Sequence, residues 1–165
     1  MTRFEAWTVH LSGLLVAGTG LVYGWMRYFA QPADPYAVVN HPWQPQLQHL
    51  HILVAPLLVF AAGFIWREHV WKHFRQGVRG RRRSGLSMIL TVVPMVVSGY
   101  LIQTAVAPAW RTAWVVVHVA TSLLWMAAYG GHLAAPALAR RRRRRAARVP
   151  AELADTGGQP AINPS

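Results

Sequence analysis

Long apolar runs separated by short polar segments organise this chain. Four of them, residues 7–29, 47–66, 86–107 and 113–139, each offer the roughly 20 residues that an α-helix needs to cross about 30 Å of hydrocarbon. The pattern predicts an all-α fold: a four-helix transmembrane bundle within residues 1–140, then a basic and finally disordered tail over 141–165. No repeat period emerges, and nothing divides the hydrophobic part into separate domains. The first run follows a short basic start, as a secretory signal would. Its apolar stretch is longer than a signal core, however, and TGLVYGWMRYFAQP offers no small-residue cleavage site, so it is read as a mature helix.

The polar segments differ sharply in charge. REHVWKHFRQGVRGRRR, between the second and third spans, holds seven Lys or Arg; RRRRRRAAR, after the fourth, holds seven more, and Arg3 precedes the first. Arg27 and Arg111 alone lie near the other side. Because basic loops are retained on the cytoplasmic side, both termini and the 67–83 loop are expected in the cytoplasm. AQPADPYAVVNHPWQPQ and the 108–112 turn are then expected outside, the former extended and ordered by packing around Pro32, Pro35, Pro42 and Pro45. Across the chain, 17 Lys+Arg face 5 Asp+Glu, a net charge of +12, in a sequence that is 53% hydrophobic. That excess suits anionic lipid head groups and topology; nucleic-acid binding is disfavoured, because the arginines come in blocks between apolar runs.

Cysteine is absent, which excludes disulfides, Cys-ligated iron–sulfur clusters and haem attached through C-x-x-C-H. A metal would therefore be held by His or carboxylate, and His is the more abundant, with eight residues. His41 falls in the outer loop, and His69 and His73 in or near the inner one, where a solvated ring explains them. His10, His49, His51, His118 and His132 lie inside the spans or within about a turn of their ends.

In HVATSLLWMAAYGGH, His118 and His132 bracket an apolar run. At about 100° and about 1.5 Å per residue they share a helix face to within about 40° but lie about 21 Å apart along the axis. One metal ion cannot bridge them, whereas two sites at two depths can each take one. The arginine-derived topology supplies partners at matching levels: His10 for His132 near the inner surface, and His51 or His49, in LQHLHIL, for His118 near the outer one. His49 and His51 point about 200° apart, so one of them at most faces the fourth helix; His51 lies slightly deeper.

Two imidazoles on opposite sides of a flat macrocycle describe a bis-histidyl haem suited to electron transfer. A porphyrin also needs room. Gly13, Ala17, Gly20 and Gly24 follow His10 on its own face, a strip without bulk that is equally the small-residue signature of close helix packing.

With these residues in place, the chain resembles the four-helix di-haem cytochrome b subunits of bacterial membrane oxidoreductases, such as the formate dehydrogenase gamma subunit and the related hydrogenase and thiosulfate reductase cytochromes. The likeness covers roughly residues 4–140 and rests on an early His in the first helix (His10), a His opening the second (His51 or His49) and the His118/His132 pair in the fourth. It implies two non-covalent b-type haems. Their iron would take His10, His51 (or His49), His118 and His132 as axial ligands, the outer haem between the second and fourth helices and the inner between the first and fourth. It implies no catalytic residue of the chain's own, but an electron-relay subunit in the bacterial inner membrane, between a periplasmic or membrane-associated redox partner and a quinone.

The resemblance places that quinone near the inner surface, where Arg67, Glu68, His69, Ser84 and Ser87 are the polar candidates. Ser12, Thr121, Ser122 and Tyr129 are candidate partners for the free ring N–H groups of the ligands. Trp7, Trp25, Tyr28, Trp43, Trp66, Trp110 and Trp114 read as an interfacial belt, while Trp125 sits mid-span. A competing reading is a cofactor-free transporter or anchor whose His residues shuttle protons or pack helices. None of the four spans has an Asp or Glu at its centre for ion coupling. A zinc site at HLH with His41 is disfavoured because alternate helix residues point apart.

Overall fold

The computed structural model describes residues 2–75 and 82–156. Among them every regular element is helical: α1 (Arg3–Tyr28), α2 (Gln44–Ile65), a π-helical turn (Trp66–Trp71) running into the short α3 (Lys72–Arg75), α4 (Arg82–Thr104) and α5 (Pro108–Thr156). Four helical stretches are long and apolar enough to cross a membrane: Arg3–Tyr28, Gln44–Trp71, Gly85–Thr104 and Pro108–Ala146. The chain divides into two compact units, Met1–Arg82 and Arg83–Ser165.

Local chemistry sets the helix ends. Thr2 and Glu5 form a capping box at the start of α1: the Glu5 N–H donates to the Thr2 hydroxyl at 3.2 Å, and the Thr2 N–H to the Glu5 carboxylate at 2.6 Å. This satisfies two of the donors that a helix start leaves open and puts a negative charge at the positive end of the helix dipole. α2 begins ahead of the apolar run, at Gln44, because Pro45 suits a first turn: its missing N–H would have found no partner there anyway. α4 stops at Thr104, and Pro108 opens α5 in the same manner. Pro56 and Pro94 sit inside α2 and α4, positions that spanning helices accommodate better than soluble ones. α5 continues past the expected span end through Arg140 to Arg145 and on to Thr156. Arg and Ala are strong helix formers, so the basic block extends the helix where a tail was expected; the rest of that tail, 157–165, lies outside the described residues.

In the first unit, α1 and α2 pack along their lengths. Phe4 meets Phe64 edge-on with ring centroids 6.2 Å apart, so the start of α1 lies against the end of α2 and the pair is antiparallel. Hydrogen bonds tie down the loop between them. The Asn40 side-chain amide donates to the Arg27 carbonyl at 2.8 Å, the Asn40 N–H to the Gln44 side-chain oxygen at 3.3 Å, and the Tyr36 N–H to the Asp34 carboxylate at 2.8 Å. The last is an Asx turn, the local geometry Asp favours over helix.

Large apolar side chains point outward along the helices: Leu14 is 70% exposed, Leu53 73% and Leu90 65%. At roughly 25 cal/mol per Å² of apolar surface, leaving so many in water would be unfavourable; lipid removes that penalty. Trp7, Trp25, Trp43, Trp66 and Trp110 are also exposed near the helix ends, as amphipathic rings at a bilayer interface would be. Among the described residues no buried side-chain polar atom lacks a hydrogen-bond partner, the condition a hydrocarbon solvent imposes.

Candidate functional site

His51 is half-buried on α2, with its ring turned toward α1. Its Nδ1 lies 3.1 Å from the Thr19 hydroxyl oxygen. That hydroxyl has one proton, and it is directed at carbonyls of its own helix, Leu15 at 2.7 Å and Val16 at 3.2 Å. Thr19 therefore accepts, and His51 donates from a protonated Nδ1. In the neutral ring this leaves the lone pair on Nε2. Gly20 makes the approach possible: a Cβ there would sit 2.9 Å from His51 Cε1, closer than real Cβ atoms come. The small-residue strip of α1 is thus occupied by an imidazole at Gly20, while a Cβ at Gly24 would meet nothing within 4 Å.

His118, half-buried on α5, is held in a related way by α4. Its Nδ1 is 2.9 Å from the Met95 carbonyl oxygen and 3.4 Å from the Ser98 hydroxyl. A carbonyl can only accept, so Nδ1 again carries the proton and Nε2 the lone pair. The Ser98 proton is directed at the carbonyls of Pro94, at 2.6 Å, and Met95, at 3.0 Å. Gly99 explains how the ring reaches the backbone. A helical side chain covers the turn preceding its own Cα, so the lack of one at position 99 uncovers the Met95 carbonyl. A Cβ at Gly99 would lie 3.2 Å from His118 Cε1.

The other histidines differ. His49 is exposed. His10 is half-buried on α1, with Trp7 edge-on to it at 6.5 Å between centroids, and His132 is half-buried on α5. His41 accepts from the Trp43 N–H through Nδ1 at 3.1 Å, as a turn-forming side chain, and lies 6.5 Å from the Trp25 ring. His69 is half-buried in the π-helical turn; the side chain of His73 lies outside the described residues. Among the described residues no three His, Asp or Glu gather into a metal-binding cluster.

Two of the hydroxyls named from sequence as ring partners bond carbonyls of their own helix. Ser12 bonds the Val9 carbonyl at 3.2 Å, and Thr121 bonds the Val117 carbonyl at 2.7 Å. Ser122 is half-buried on α5. Tyr129 stacks on the buried Trp125, with centroids 5.1 Å apart. The partners that seat His51 and His118 are Thr19, Ser98 and the Met95 backbone, which sequence reasoning missed. The available signal was the dipeptide Thr19-Gly20 in the first span and Ser98-Gly99 in the third, a hydroxyl acceptor beside a gap wide enough for a ring.

In the π-helical turn that follows α2, Arg67 and Glu68 are exposed and 3.9 Å apart. With Trp71, Lys72 and Arg75 they line a shallow hollow, and the Arg75 guanidinium lies 5.9 Å from the Trp71 ring centroid. The Ser87 carbonyl accepts from the Thr91 hydroxyl at 2.7 Å; the Ser84 side chain lies outside the described residues.

A haem with two axial imidazoles needs from each ring an Nε2 lone pair and a fixed orientation. His51 and His118 each have Nδ1 within hydrogen-bond distance of an acceptor on a neighbouring helix and a ring seated against a glycine. The chain matches no protein-family profile, no curated protein and no solved structure.

Proposed function

We propose that this chain is a di-haem b-type cytochrome subunit that relays electrons across the bacterial inner membrane, between a periplasmic or membrane-associated redox partner and the quinone pool. It would be similar to the four-helix cytochrome b subunits of formate dehydrogenase, hydrogenase and thiosulfate reductase. The observation that carries the reading is how two imidazoles set in apolar spans are seated. His51 Nδ1 lies 3.1 Å from the Thr19 hydroxyl and His118 Nδ1 2.9 Å from the Met95 carbonyl; a ring that donates there from Nδ1 keeps its lone pair on Nε2, the form that binds iron. With His10 and His132 they would hold the two haems, paired as the arginine-derived topology gives, with both termini in the cytoplasm.

The haems, when bound, supply reversible one-electron chemistry. The chain's own residues do the rest. The imidazole Nε2 atoms would hold the iron, Thr19 and the Met95 carbonyl fix the rings, and Gly20 and Gly99 admit the rings against the neighbouring helices. The apolar helices exclude water and disfavour uncompensated charge. Arg67, Glu68, His69 and Ser87 are the polar groups near the inner end of the second and third spans that would serve a quinone carbonyl or carry its protons.

Purification in detergent, a reduced-minus-oxidised spectrum and a haem count test the proposal. Two b-type haems per chain are expected, and His10→Ala and His118→Ala should each remove a different one. Loss of the same haem in both variants would overturn the pairing. A chain without haem would put the cofactor-free transporter or anchor ahead.

A further inference from the structure

We infer that Thr19 is the positioning residue for His51: the lone pair of its hydroxyl fixes which ring nitrogen carries the proton and which way the ring faces, so that Nε2 is presented as the ligating atom. The functional consequence rests on the haem reading above, whereas the proton position is a property of this chain by itself.

A helical Thr that bonds a carbonyl of the preceding turn is ordinary, and by itself says nothing about function. The other side of the hydroxyl is what matters here. Its single proton is committed to the Leu15 and Val16 carbonyls, at 2.7 and 3.2 Å, so it can meet His51 Nδ1 only as an acceptor. Were Nδ1 unprotonated, two lone pairs would face each other at 3.1 Å. The helix geometry of α1 thus selects one tautomer of a ring on α2. Gly20 completes the arrangement, since the ring occupies the space a side chain there would take.

The second unit supplies an internal control. His118 also has a hydroxyl near Nδ1, that of Ser98 at 3.4 Å, but the Met95 carbonyl is nearer, at 2.9 Å. Removing the Ser98 hydroxyl leaves the nearer acceptor in place, so Ser98→Ala should preserve the tautomer of His118. At Thr19 the acceptor is the side chain itself. Thr19→Val keeps the shape and β-branching and removes the acceptor; Thr19→Ser keeps the acceptor and serves as the rescue.

The test is made on the full chain as purified in detergent. ¹⁵N NMR of the imidazoles, in the reduced and diamagnetic state wherever haem is bound, reads the proton and hydrogen bond at Nδ1, and a redox titration reads the midpoint potential. For His51, wild type and Thr19→Ser should show a hydrogen-bonded Nδ1–H. Thr19→Val should lose the hydrogen-bonded signal, lower affinity for the haem held by His51 by roughly ten- to a hundredfold, and raise its potential, because a ring that no longer donates from Nδ1 is a weaker base toward ferric iron. The inference is overturned if Thr19→Val keeps both the hydrogen-bonded Nδ1–H and the potential, or if Thr19→Ser behaves as the valine does. A chain that carries no haem, yet shifts its His51 proton on Thr19→Val, sinks the haem reading and leaves the role of Thr19 standing.

Discussion

The two units solve one problem with different acceptors. In the first, a side-chain hydroxyl on α1 receives the His51 proton; in the second, a backbone carbonyl on α4, uncovered by Gly99, receives that of His118. A backbone acceptor is present whatever residue occupies the position, so the second seat depends chiefly on the absence of a side chain. The first depends on both an absence and a presence, Gly20 and Thr19. Its clearance is also tighter, 2.9 Å against 3.2 Å for an added Cβ. The first seat is therefore the more exposed to mutation.

The largest expected effect follows from closing that clearance. Gly20→Ala gains at most about 1 kcal/mol in helix propensity, against roughly 1–3 kcal/mol for crowding a packed site. It should destabilise the chain by up to about 2 kcal/mol in thermal unfolding and disturb the spectrum of the haem that His51 is proposed to hold. An unchanged melting temperature and spectrum would mean that the ring is not confined as described. Gly99→Ala asks the His118 ring to yield by a few tenths of an ångström. The propensity gain of up to about 1 kcal/mol should nearly cancel that, leaving a stability change within about 0.5 kcal/mol and a small spectral shift. A loss as large as that of Gly20→Ala would erase the contrast between the seats. His49→Ala, at an exposed position, should change stability by less than about 0.5 kcal/mol and retain the full haem count. Loss of a haem in that variant would transfer the ligand role away from His51.

Much of this arrangement was legible in the sequence, for reasons that also mark where legibility ends. Hydrophobic length alone located four helices long and apolar enough to span a membrane, with all but one of their ends within five residues, because the requirement for internal hydrogen bonding in lipid permits little else. The ends were harder. Pro45 and Pro108 carry helices α2 and α5 farther back than the apolar runs reach, since a proline that looks like a loop residue is also a good first-turn residue. By charge the arginines from Arg140 to Arg145 resemble a solvated tail, yet Arg is also a strong helix former, and α5 runs through them. At the site, the residue types were visible but their phase was not. His49 and His51 differ by about 200° around a helix, and which one meets α1 depends on how the two helices lie against each other. Thr19 is hard to single out for a similar reason: spans contain many hydroxyls that bond their own helix, and only the adjoining Gly20 marks this one as open to a neighbouring ring.

α1 is fastened at both extremities, by the Thr2–Glu5 box at one and by Asn40 gripping the Arg27 carbonyl at the other. A spindle held at each end can neither fray nor creep about its axis, and a creep of a single position would swing Thr19 through about 100°. Two short polar clasps near the water thus set the angular register of a threonine deep in the span, and with it the side of the helix on which a proton is received.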